Sequence, residues 1–357
     1  MSTTFILLVI LSAVGIAAIA KFSPSLAIIA QFTYPNAKFN AIGASYLKEK
    51  ELAHLINSKS LDDLKNNIIS RDFHVEGDTI EEMQKSVDAS LVKILQMAKN
   101  DSPRSVRKFY DAYIKKIDAR PLKNVLKAIV EEKELPEEEF FSQEIKNFVD
   151  SIKKASRDEM PAIFSMHNMQ DVWGLIEKKA LFMEIEGEIE KKIIQEIRAV
   201  PLPKSCRHAR DLFMKYFIDI LNLKAIFRAK YMGMDLSKEN LFGEGRELSY
   251  WQLEHFLKID AISEIISLLE GTSYIKPLRD ALGEFEREGG SALERALDRH
   301  FLSLVGGIAV ENTMNLGPGI RFIIEKEFEA QNLRAIIKGV GEKMSAEEIW
   351  KILVVEK

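Results

Sequence analysis

Apolar residues along this chain recur mainly at intervals of three and four, the spacing that lines one face of an α-helix. Long charged segments run without turn signals, which favours helices over strands. Ala44 to Asn57 is expected to form a helix with Leu47, Leu52, Leu55 and Ile56 as its apolar members. Ser60 should cap the next one, with Asp62 and Asp63 in its first turn where the helix dipole favours acids. Asp78 or Thr79 should cap a helix carrying Ile80, Met83, Val87, Leu91 and Ile94. Two breaks interrupt the pattern. One is the acidic stretch Glu131 to Glu139, broken by Pro136, and the other is the glycine-rich stretch Gly233 to Gly245. They divide the chain into a hydrophobic segment at 1–33 and helical repeats at 34–140, 141–246 and 247–357.

One pattern occurs three times, before each break and before the carboxyl terminus. It reads apolar, acidic, two variable positions, Pro or Asn, Leu, basic, one variable, two apolar, basic. The copies run from Ile117 to Lys127, from Ile218 to Arg228 and from Phe328 to Lys338. Their leucines, Leu122, Leu223 and Leu333, are about one hundred residues apart, which marks a long-period internal repeat. The leucine and the apolar positions three and four residues on share a stripe that faces a core. The acids Asp118, Asp219 and Glu329 sit one turn earlier on the edge of that stripe. An acid placed there is expected to be partly buried and bonded to a helix amino terminus or a basic partner, a structural rather than a catalytic role. Pro121 should kink or break the first copy, and Asn222 and Asn332 should bond local backbone at an irregular turn. The bases Lys123 and Lys127, Lys224 and Arg228, and Arg334 and Lys338 are spaced four apart and share an outward face. They are either a solvated face or an interface with partners.

The amino terminus differs in kind, with no charge before Lys21 and a wholly apolar core, apart from Ser12, from Phe5 to Ala20. That length is adequate for a membrane-spanning helix, and the lysines after it would keep the rest of the chain in the cytoplasm. A cleaved signal peptide competes, because Ala18-Ile19-Ala20 resembles a cleavage site, but no basic residue precedes the apolar run. A buried core helix and an apolar hairpin lying on a membrane surface are further alternatives.

Composition excludes several classes. A net charge of -4 argues against nucleic acid as the main partner. The single cysteine, Cys206, allows no intrachain disulfide, and with His208 it supplies too few ligands for zinc. The six histidines form no His-Glu-x-x-His pair, and no glycine loop is followed by Lys-Ser or Lys-Thr. No catalytic residue, cofactor, metal or small-molecule substrate is therefore expected. Trp173, Trp251 and Trp350 are expected in the core or at interfaces.

The repeat and its flanks resemble the C subunit of the archaeal-type ATPases, which is related to the d subunit of the vacuolar enzyme. The stretch from Asn315-Leu316-Gly317-Pro318-Gly319 through Glu325-Lys326-Glu327-Phe328-Glu329 to Asn332-Leu333-Arg334 carries most of the likeness. Asp219 with Asn222-Leu223-Lys224, Leu269 to Tyr274, and Tyr34 with Asn36-Ala37-Lys38 add to it, although the family's usual arginine and methionine are missing from that last helix. The resemblance implies three helical units around a pseudo-threefold axis, forming a funnel on the cytoplasmic side of the cell membrane. The implied partners are the proteolipid ring and the D and F subunits of the shaft, and the implied role is non-catalytic transmission of torque during ATP synthesis or ion pumping. Lys123, Lys127, Lys224, Arg228, Arg334 and Lys338 are then the candidate interface residues. A membrane-anchored scaffold of helical repeats stacked in a line is the alternative.

Overall fold

Capping and close glycine contacts explain where the helices start and stop in this computed structural model, which describes residues 29–68 and 72–356. Helix α1 (residues 29–42) stops at Gly43, whose φ of +62° lies in the left-handed region. The expected helix from Ala44 to Asn57 is split. A 3₁₀ turn at Ser45–Leu47 is followed by extended Lys48, and only then does α2 (Glu49–Ile56) begin. Ser60 caps α3 (Leu61–Asn67), accepting from the Asp63 N–H at 3.1 Å. Thr79, not Asp78, caps α4 (Ile80–Asp101), and Glu82 accepts from the Thr79 N–H to complete a capping box.

The remaining helices are α5 (Arg107–Val130), α6 (Gln143–Lys154), α7 (Met160–Met166), α8 (Gln170–Glu177), α9 (Phe182–Ala199) and α10 (Lys204–Met232). They continue as α11 (Tyr250–Leu257), α12 (Ile262–Leu268), α13 (Ile275–Asp280), α14 (Leu282–Glu288), α15 (Gly290–Glu311), α16 (Gly317–Gly341) and α17 (Ala346–Trp350). The described residues are all-α, without a strand. Gly233 ends α10 in the left-handed conformation, and the Met234 N–H reaches back to the Ala229 carbonyl at 2.9 Å.

Three long hairpins frame the molecule: α4 with α5, α9 with α10, and α15 with α16. Each second arm packs on the first arm of the next hairpin, α5 on α9, α10 on α15 and α16 on α4. The last contact closes the set into a ring. Repeats stacked in a line would hold α4 and α16 apart. The hairpin turns converge at one end. Ser102 Oγ lies 3.0 Å from the Tyr110 hydroxyl, and a Cβ on Gly319 would come within 2.3 Å of that same hydroxyl. Buried Cys206, at the start of α10, takes a contact from the Leu316 N–H. First, second and third hairpins therefore meet at this tip.

Pro121 does not break its helix, since α5 runs unbroken through it. Packing explains the difference. Leu122, Val125 and Leu126 are all buried, and α5 is held between α4 and α9, which outweighs the roughly 3 kcal/mol cost of an interior proline. Helix α1 lies along α16, with Asn36 Nδ2 donating to the Thr313 and Asn315 carbonyls at 2.9 and 3.0 Å and Phe39 stacked on Phe322. Among the described residues, no helix is long and apolar enough to cross a membrane. The stretch Phe5 to Ala20, where a spanning helix is expected, lies outside the described residues.

Candidate functional site

The three copies of the repeated pattern occupy the second arms α5, α10 and α16, and each acid joins its arm to the start of another unit. Asp118 accepts from the Phe141 and Ser142 N–H groups at 2.9 and 2.7 Å, just ahead of α6. Asp219 accepts from the N–H groups of Arg246, Glu247 and Leu248 and from the Tyr274 hydroxyl at 3.0 Å, just ahead of α11. Glu329 accepts from the Tyr46 N–H at 2.7 Å and pairs with Lys326. All three are fully buried, more than the pattern by itself implies. Burial pushes the Asp219 carboxyl up to about 6, against the pull of its backbone and tyrosine donors. A Cβ on Gly245 would lie 1.8 Å from Asp219 Oδ1, so only glycine lets the backbone approach this carboxylate.

The asparagines behave similarly and do not bond locally. Asn222 accepts from the Phe242 N–H and donates to the Gly243 carbonyl. Asn332 donates to the Tyr46 and Val354 carbonyls and accepts from the Val354 N–H. A buried side-chain amide can satisfy one distant N–H and one distant C=O together, so these residues clamp loops from elsewhere in the chain.

The bases separate into two sets. The one after each leucine reaches across a seam to an acid on the next hairpin's first arm: Lys123 to Glu190 at 2.7 Å, Lys224 to Asp298 at 2.6 Å, and Arg334 to Asp88. Unit one thus grips unit two, unit two grips unit three, and unit three grips unit one. Of the second set, Arg228 forks onto Glu294 at 3.0 and 2.9 Å across the same seam as Lys224. Lys127 and Lys338 are exposed and, among the described residues, meet only Glu131 and Glu342 one turn away, at 3.9 and 4.0 Å. Their location beside these acids is compatible with a solvated face.

Two of the seams, Lys123–Glu190 and Arg334–Asp88, line a polar cavity of about 590 Å³ to which all three units contribute. Asp88, Arg120 and Arg334 form one cluster on its wall. A second joins Glu327 to Lys116 and the Tyr113 hydroxyl, with the Lys116 ammonium 5.4 Å from the Phe217 ring centre. Burial acts to raise the Glu327 carboxyl, but the Lys116 charge and the bonds from Lys116 and Tyr113 prevail and hold it below its usual range. At Asp298 burial prevails over Lys224, and its carboxyl is raised. Glu138, Glu139 and Glu186 also line the cavity and have no cation within ion-pair distance among the described residues. The open charge of this wall is therefore negative, and it suits a basic partner rather than an anionic one.

The seam acids are the residues that the repeated pattern does not reveal. Asp88, Glu190 and Asp298 stand 102 and 108 residues apart, against 101 and 110 for the three leucines. That matching period is the signal that identifies them. Trp173 is buried as expected, whereas Trp251 is 70% exposed.

Residues 35–352 match the family model described as ATP synthase (C/AC39) subunit. The chain is 26% identical over 345 residues to the C subunit of the A-type ATP synthase of Methanothermobacter thermautotrophicus, covering 92% of this chain and 88% of that protein. Its identity to the protein of the same name from Methanocaldococcus jannaschii is 25% over 356 residues, covering 91% and 87% respectively. For the one from Pyrococcus horikoshii it is 24% over 343 residues, covering 90% of each.

Proposed function

This chain belongs to the ATP synthase (C/AC39) subunit family, and from that membership we propose that it works as a non-catalytic coupling piece in the central stalk of an A/V-type ATP synthase. In this reading the three repeats form a funnel whose polar cavity takes the foot of the shaft, the D and F subunits, while the opposite end meets the proteolipid ring. The observation that carries it is the ring of three hairpins closed by Lys123–Glu190, Lys224–Asp298 and Arg334–Asp88, with one cavity to which all three units contribute. A torque-bearing collar needs every unit fixed to both neighbours, and the seams supply that. The repeats are assigned to 34–140, 141–246 and 247–357. Lys123, Lys224, Arg228 and Arg334 serve first to hold the collar together, which leaves Lys127 and Lys338 as the bases of the pattern open to a partner. Residues 1–33 are proposed to anchor the collar in the membrane on its cytoplasmic side.

Affinity purification of the chain from native membranes tests the proposal. Co-purification of the proteolipid and shaft subunits is expected, and recovery of neither would refute it. The variant Glu139→Lys with Glu186→Lys should lose the shaft while keeping the ring. Release of the chain by carbonate would remove the anchor but leave the coupling role standing.

A further inference from the structure

The end of the molecule opposite the acidic cavity wall, where the three hairpin turns converge, has a different surface chemistry. Arg104 in the first turn, Lys108 at the start of α5, Arg198 in the last turn of α9 and Lys204 at the start of α10 are all exposed. None has a carboxylate partner among the described residues. Their neighbours Arg107 and Arg207 are accounted for, because they donate to the Ser102 and Leu202 carbonyls of the turns. The acids nearby are already used, Asp101 by Lys38, Asp111 by Lys99 and Asp211 by Arg210. Glu311 remains as an exposed acid.

Of the free bases, Arg198 in the last turn of α9 sits where the helix dipole favours a cation, whereas Lys108 and Lys204 do not. Neither α5 nor α10 carries an acid in its first turn, where acids are favoured, and bases at such a position cost a few tenths of a kcal/mol each. The helix dipoles give no net bias here, since each hairpin brings one amino and one carboxyl terminus to the tip. At Lys108 and Lys204 the positive charge is placed against local preference, which is a mark of function.

Exposed apolar residues share this end. Tyr34 on α1 is 65% exposed, Val310 in the last turn of α15 is 71% and Met314 in the third hairpin turn is 61%. They belong together because Asn36 fastens α1 to the backbone on either side of Met314. Traced backwards from Phe39 beside Phe322 to Asn36 beside Asn315, α1 runs toward the tip. Residue 29 lies about 10 Å beyond Asn36 at the helical rise. The chain therefore enters α1 from the tip, and the sequence ahead of residue 29 is uncharged back to Lys21.

The geometry points to the hairpin-turn tip as a docking face for an anionic lipid bilayer. Arg104, Lys108, Arg198 and Lys204 contact the headgroup phosphates, and Tyr34, Val310 and Met314 enter the interfacial layer. Bases bordering an uncharged segment, with exposed apolar side chains at the same end, form the pattern by which proteins sit at the negative face of a membrane. The assignment stands apart from the coupling role, because lipid vesicles contain no other subunit.

Flotation of the full chain with vesicles of phosphatidylcholine alone, or with a third of phosphatidylglycerol, tests it. A fluorophore sensitive to polarity on Met314→Cys reports contact at the tip itself, Cys206 being buried. Binding and a blue shift are expected with the anionic vesicles. Each base neutralised should weaken binding about fivefold, the equivalent of about 1 kcal/mol per base near an anionic surface. The triple variant Arg104→Gln, Lys108→Gln, Lys204→Gln should thus lose about a hundredfold, while Lys133→Gln at the other end changes nothing. A fluorophore shift that is equal with both vesicle types, one that is absent with both, or a triple variant that keeps the full shift would each overturn it.

Discussion

Reversing Lys224 to glutamate places a second carboxylate against Asp298, where the ammonium stands 2.6 Å away. The side chains are 20% and 12% exposed, so neither charge is well solvated and neither can swing freely into water. Two like charges about 4 Å apart at an effective dielectric near 20 repel by about 4 kcal/mol, and local relaxation should return part of that. A net loss of about 3 kcal/mol is expected. With a urea slope near 3 kcal/mol/M this lowers the unfolding midpoint by about 1 M. Adding Asp298→Lys to the same chain restores the pair in reverse and should recover at least half of the loss. The same reversal at Lys338, which is 61% exposed and 4.0 Å from Glu342, should cost under about 0.5 kcal/mol. Urea unfolding followed by circular dichroism reads all four chains. A Lys224→Glu midpoint within about 0.2 M of the Lys338→Glu midpoint, or no recovery in the swapped chain, refutes the idea that this pair holds the seam.

Three other outcomes are expected. Gly245→Ala drives a methyl into the Asp219 carboxylate, so it should cost about 3 kcal/mol in thermal or urea unfolding, whereas alanine at Gly187, with nothing within 4 Å, should not destabilise. Asp219 has a folded-state value of about 6 against 3.8 for the free group, so its folded form holds the proton more tightly. Its contribution is complete below about pH 3 and lost as pH rises through 6, so wild type should lose about 2 kcal/mol relative to Asp219→Asn between pH 4 and 7. Parallel stability curves for the two chains would contradict that. Gly319→Ala should destabilise by crowding the Tyr110 hydroxyl, and Tyr110→Phe in the same chain should relieve much of the cost, measured as a double-mutant cycle.

The helices and their repetition were legible in the order of residues alone. Helical periodicity and capping are local, so Ser60 and Thr79 mark helix starts whatever surrounds them. The thrice-repeated acid before the leucine could be read as a buried structural group, because an acid on the edge of an apolar stripe needs donors close by. What those groups touch was settled by long-range contact. Asp88, Glu190 and Asp298 find their cations on other hairpins, a pairing between residues 67 to 246 positions apart that no local pattern encodes. Long-range packing also overruled local preference at Pro121, where contacts on both sides keep α5 continuous, and between Ala44 and Asn57, where the bond from the Tyr46 N–H to Glu329 favours a turn over a helix. Local chemistry chooses the elements; tertiary packing chooses their partners, because each seam exists only once two hairpins meet.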